Sequence, residues 1–124
     1  MELVIGGAYQ GKLEYAKENL GVVTNFECSE DNATIDFSCG CVSKLELYVL
    51  ACLRAGKEPW DAFEADPDSW QNCILIANDI SQGVVPISAE MRAWREATGR
   101  LLNKLSGRAA NVHRVFLGIG QVIK

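Results

Sequence analysis

Short apolar runs alternate with amphipathic stretches along the chain. Leu3-Val4-Ile5 reads as a strand, and the segment after Lys12 carries Leu13, Ala16 and Leu20 on one helical face up to a stop at Asn19-Leu20-Gly21. Val22 to Phe26 reads as a second strand, Ser29 to Asn32 as a polar turn, and Ala33-Thr34-Ile35-Asp36-Phe37 as a short third strand. From Ser43 to Arg54 the apolar positions follow a helical period over so much of the circumference that the helix must be covered on more than one side, with Gly56 placed to end it. Pro59 is placed to open a short helical turn through Phe63, in an irregular stretch whose Trp60 and Trp70 predict packing onto the body. Cys73-Ile74-Leu75-Ile76-Ala77 is an unbroken apolar run, as in a strand buried on both faces. Gly83 and Pro86 mark a loop, Ser88 is a candidate N-cap, and Met91, Trp94, Thr98, Leu101, Leu102 and Leu105 predict a helix to about Gly107. Val112 to Phe116 and Gln121 to Ile123 read as strands joined across Gly118-Ile119-Gly120 in a hairpin. Strands alternating with helices in this way predict an α/β fold with a mostly parallel sheet and a C-terminal hairpin.

Length adds that residues 1–124 form one domain. A net charge of −4 argues against nucleic acid as the main partner, because phosphate backbones demand a basic surface. No apolar run approaches the length that spans a bilayer, so no membrane partner is expected. No basic segment with a cleavage site opens the sequence, and five cysteines cannot all pair; together these predict free thiols in a cytoplasmic protein. Cys28, Cys39 and Cys41 invite a metal hypothesis, but their spacing does not match structural zinc sites, and buried small hydrophobes are the competing reading.

The chemistry concentrates where the first strand meets the first helix. Gly6-Gly7-Ala8-Tyr9-Gln10-Gly11-Lys12 has the spacing G-x-x-x-x-G-K of a phosphate-binding loop. Gly6, Gly7, Ala8 and Gly11 allow backbone N–H groups to converge on phosphate oxygens, the helix start adds free donors and the positive end of its dipole, and Lys12 supplies a full charge. Leu13 stands where a Ser or Thr hydroxyl normally binds Mg²⁺. Asp36, near the end of the expected third strand, has two readings: a carboxylate that holds Mg²⁺, or an Asx-type cap of the following turn. Arg92, Arg95 and Arg100 have two readings, phosphate contacts or ion pairs on a solvated helix face.

The C-terminal half adds a resemblance. Leu75 to Pro86, then Arg92, Arg95, Gly99-Arg100 and Asn103, then Gly118 to Lys124, resemble the bifunctional adenosylcobinamide kinase/adenosylcobinamide-phosphate guanylyltransferase family of cobalamin biosynthesis. That family carries a strand ending N-E-x-x-x-G-x-V-P, a helix patterned R-x-x-R-D-x-x-G-R-x-N-Q and a terminal strand ending in lysine, and opens on G-G-A-R-S-G-K-S. The likeness covers about residues 1–20 and 73–124. It implies a three-layer phosphate-loop fold, a homo-oligomer, ATP or GTP as cofactor with Mg²⁺, and phosphorylation of a corrinoid followed by GMP transfer through a covalent histidine. Under it, Lys12, Asp36 and Asp79 are the catalytic residues, Asp36 the metal-associated acid, and Gly6, Gly7, Ala8, Gly11, Lys12 and Leu13 the nucleotide-binding set.

The departures shape the expectation. The chain is short and lacks the segment that bears the nucleophilic histidine, and its one histidine, His113, precedes the penultimate strand. This argues against guanylyl transfer by the family route. Leu13 weakens Mg²⁺ binding, and Asp79 in place of the family's Glu shortens a carboxylate by one methylene. The expected function is therefore a nucleotide-binding, reduced relative that retains kinase chemistry at most. The alternative is a non-catalytic nucleotide- or corrinoid-binding regulatory or partner subunit with a degenerate phosphate loop.

Overall fold

A computed structural model describes residues 1–80 and 88–124; the expected loop marks Gly83 and Pro86, and residues 81–86 of the family-like stretch, lie outside them. In chain order the elements are β1 (Glu2–Gly6), α1 (Lys12–Asn19), β2 (Phe26–Glu27), β3 (Cys41–Ser43), α2 (Leu45–Ala55), α3 (Asp61–Ala65), β4 (Ile74–Asn78), α4 (Ala89–Arg108), β5 (Asn111–Phe116) and β6 (Ile119–Val122). The sheet runs β2-β3-β4-β1-β5-β6, with every neighbouring pair parallel except the β5–β6 hairpin.

Alternation along the strands divides the interior in two. Leu3, aligned with Leu75 and Val112, faces the helices α2, α3 and α4. There Phe63 meets the rings of Phe37, Tyr48, Trp60 and Trp70 at centroid distances of 5.3 to 6.3 Å, edge-on except for a stacked contact with Trp60. The polar tips of these aromatics are satisfied: the Tyr48 hydroxyl donates to Pro59 O at 2.8 Å, and Trp70 Nε1 to Phe63 O at 2.8 Å. Val4, aligned with Ile76, turns the other way, and with Val115, Cys41 and Ala16 makes a much smaller cluster under α1. The sheet thus has helices on both faces. Ser88 caps α4 by accepting from the Met91 N–H, and Gly56 ends α2 at φ 69°.

Three expectations shift. Ala33 to Phe37 is no strand; the third strand is Cys41–Ser43. The alternation that suggested it is real, since Ala33, Ile35 and Phe37 pack onto the core and Thr34 and Asp36 are exposed, but the segment pairs with no neighbouring strand. The second strand keeps only Phe26 of the expected run and adds Glu27. The hairpin reverses at Leu117-Gly118, where φ is 52° and 76°, so Ile119 and Gly120 belong to β6. Positive φ at both central residues is the turn that matches strand twist.

Candidate functional site

β1 delivers the chain to its glycine-rich loop at the C-terminal edge of the sheet. From there α1 continues on one face, whereas the chain after the adjacent β4 reaches α4 on the other, so the connections diverge between β1 and β4. Such a switch point opens a crevice in doubly wound sheets. A pocket of about 420 Å³ lies there, lined by the loop from Ala8 to Glu14, by Glu27, Ser43, Lys44, Glu46 and Leu47 from the β2–β3–α2 side, and by Ile76 and Asn78 from β4.

Each loop position has a physical reason. A Cβ on Gly6 would stand 2.5 Å from the backbone oxygen of Val115, so the strand can pass β5 only without a side chain. Gly11 sits at φ 80° as the N-cap of α1 and offers no side-chain cap. The first turn therefore leaves the N–H groups of Lys12, Leu13 and Glu14 without intrahelical acceptors at the pocket wall. Gln10 fastens the loop from behind: its carbonyl accepts from Gly118 N at 2.8 Å and its Oε1 from Leu117 N at 2.7 Å. Among the described residues, the three non-glycine residues with positive φ are Tyr9, Lys44 and Leu117. Two line the pocket and the third is tied to Gln10, and such strain gathers at functional sites.

Lys12 is buried, and its Nζ donates to Gly7 O at 2.7 Å. An ammonium has three donors, and among the described residues no carboxylate pairs with this one. Burial, the largest influence, pulls its pKa below the usual lysine value, against the opposing fields of Glu46 and Glu14. Glu46, like Glu27 and Lys44, is a pocket residue that no sequence pattern singled out. It is 3% exposed, and its Oε1 accepts from Asn78 N at 2.9 Å. Burial raises its pKa, opposed by that hydrogen bond and by Lys12. A glutamate in an otherwise apolar run, Leu45-Glu46-Leu47-Tyr48, was the available signal. The Lys44–Glu27 ion pair at 2.6 Å rims the same pocket.

The other expected residues are dispersed. Asp36 is exposed, accepts from Ser38 N at 2.9 Å, and is held below the ordinary carboxylate pKa by its bonds to Ser38. It precedes Gly40, whose carbonyl receives the N–H of Ile74 at the opening of β4, so it belongs to the opposite edge of the sheet. Asp36 does not line the 420 Å³ pocket, and of its two readings the Asx-type cap is the one whose bond is present. Asp79 follows β4, its N–H donating to Gly6 O at 2.8 Å, and it lines a smaller cavity on the far side of the loop with Gly7 and Arg114. Arg92, Arg95 and Arg100 lie on α4 and are not among the residues lining the 420 Å³ pocket. His113 is buried between Tyr15, whose hydroxyl is 3.0 Å from Nδ1, and Glu2, whose Oε1 is 3.1 Å from Nε2.

All five cysteines are free, and burial pushes the Cys28 thiol up to about 12 and Cys41 to about 11, which keeps both protonated at neutral pH. Among the described residues no group of three His, Cys, Asp or Glu side chains converges to hold a metal. With Leu13 in the hydroxyl position, Asp36 at the other edge and Glu46 tied to a backbone amide, the residues present do not fit Mg²⁺ as a resident ion. Among the described residues no helix is long and apolar enough to cross a membrane. The chain matches no protein-family model and no curated protein.

Proposed function

We propose that this protein binds a nucleoside triphosphate, ATP or GTP, with the phosphates over Gly6 to Leu13 and the nucleoside toward Ser43, Lys44 and Asn78. In this reading the fold is of the phosphate-loop type, and the chain is a reduced relative of the adenosylcobinamide kinases. The observation that carries it is the state of Lys12. A buried ammonium bonded to its own loop, with one neutral carbonyl as partner among the described residues, has unspent hydrogen-bonding capacity beside a pocket walled by uncapped amides. An anion supplies what both lack.

The divergent donor set favours binding over turnover. Leu13 supplies no oxygen for a metal, and the expected acids do not meet in the pocket, so the proposal stops at binding and includes no phosphoryl transfer. A corrinoid and self-association remain part of the proposal through the resemblance alone. A regulatory or partner subunit is the second reading, favoured by Leu13.

Calorimetric titration with ATP, GTP and adenosine, with and without Mg²⁺, tests this. Lys12→Ala is expected to weaken triphosphate binding about ten- to a hundredfold, the worth of one charge-assisted hydrogen bond, while adenosine binding holds. Equal losses for both, or no binding of either nucleotide to the parent protein, would overturn the reading. Metal-independent binding without transfer to cobinamide favours the regulatory subunit. If Leu13→Ser brings Mg²⁺-dependent hydrolysis, the missing hydroxyl is the broken part.

A further inference from the structure

The sheet ends on two edges, and they are guarded differently. A row of unpaired N–H and C=O groups invites another strand, and proteins blunt it with short strands, charges or proline. β2 has two of these devices: it is two residues long, and Glu27 within it is paired with Lys44. β6, at the other edge, has none of them. From Val115 to Ile123 the chain carries no charged residue and no proline. Phe116, Leu117, Ile119, Val122 and Ile123 are each more than half exposed there. Lys124, which follows directly, is turned away: its Nζ donates to Ser106 O at 2.8 Å and Gly107 O at 3.1 Å near the end of α4.

The geometry of this edge fits a copy of itself. The Ile123 N–H points inward, donating to Val112 O at 2.8 Å. Ladder groups alternate along a strand, so Ile119 and Gln121 also face β5. Gly120 and Val122 therefore present N–H and C=O outward, with no partner among the described residues. Side chains alternate as well. Gly120 lies opposite Val115 on the α1 face, where the Tyr15 ring stands in the place of a Cβ, and Ile119, Gln121 and Ile123 lie on the α4 face. An antiparallel copy with its two-fold axis at Gln121 sets Gly120 against the second copy's Val122, and the two exchange both backbone bonds. The same register sets Ile119 against the second copy's Ile123 and leaves the two Gln121 side chains face to face on the axis. Moving the axis to Gly120 or Val122 would oppose Gln121 to an isoleucine instead.

We propose that β6 pairs antiparallel with β6 of a second copy of this chain, continuing the sheet through a two-fold dimer. The contact uses the same patch on both copies, so it closes at two. One strand and a few side chains make a small interface, so the dimer forms weakly, in the range of about 10 to 500 μM. The proposal gives the self-association named above a surface, but it rests on the edge and not on the nucleotide reading. No residue of β6 lines the loop pocket, so failure here leaves the triphosphate reading standing.

Sedimentation velocity on the full chain, from about 10 μM to 1 mM, should show a reversible monomer–dimer equilibrium. Because Gln121 meets its own copy, Gln121→Lys alone and Gln121→Glu alone each oppose like charges. Either should weaken the dimer about tenfold in low salt. Mixing the two variants in equal parts should restore association to at least the parent level. A chain that stays monomeric through that range overturns the proposal, and so does a trimer. A dimer untouched by both substitutions lies on another surface, and weakening without restoration in the mixture removes the axis from Gln121; either result overturns it.

Discussion

The two faces of the sheet are built on different principles. Under α2, α3 and α4 the interior is wide and aromatic, with Phe63 fully enclosed and the polar tips of Tyr48 and Trp70 bonded. Under α1 the apolar cluster is small, and polar groups take up the space: buried Lys12 at the loop, and the chain from half-buried Tyr15 through buried His113 to half-buried Glu2 and Asn111. Apolar burial is the larger and less conditional source of stability, whereas buried polar groups demand partners and respond to ligands and pH. The aromatic face is therefore the frame, and the α1 face is where the molecule can answer its surroundings.

Substitutions can break or sharpen this contrast. Phe63→Ala should have the largest effect, about 3–5 kcal/mol lost in urea unfolding, because it opens a hole among four rings. A loss of that size from any α1-face truncation would erase the distinction. Tyr15→Phe removes the hydroxyl from His113 and should cost about 1 kcal/mol by the same measurement.

The finest test uses two carboxylates whose pKa values move in opposite directions. Burial raises Glu46 above its ordinary 4.5, so the folded protein holds that proton more tightly than the unfolded chain. Its contribution to stability falls as pH rises through the raised value, and Glu46→Gln should stabilise the protein at neutral pH and flatten that slope. For Glu2, burial alone would raise the pKa, but the bonds from His113 and Asn111 outweigh it and the net shift is downward. Its contribution is complete above about 4.5 and is lost as pH falls through the lowered value, a loss that Glu2→Gln should remove. Thermal unfolding followed from about pH 3 to 8 (a range set about the two carboxylates) separates them. Slopes of the same sign would refute the opposite environments described for them.

Local signals were legible wherever one residue type decides the backbone. Glycine at Gly6 and Gly11, the Ser88 cap and the apolar run of β4 all announced what they form. The stretch 33–37 misled because period-two burial arises in any extended segment lying on a core, and only a partner strand makes it a ladder. Asp36 went with it, since its expected place depended on that strand. Glu46 was hidden for a different reason. Its burial beside Lys12 depends on β3 and β1 being separated by one strand, β4, which no local pattern encodes.

The tie between Gln10 and the hairpin tip makes the C-terminal segment an informant on the loop. The amide protons of Leu117 and Gly118 are held by a residue more than a hundred positions earlier in the chain. Any occupant that rearranges Gly7 to Gly11 must strain or release those two protons. Their rate of exchange with deuterated solvent would then register events at the opening turn of α1 without a probe placed there.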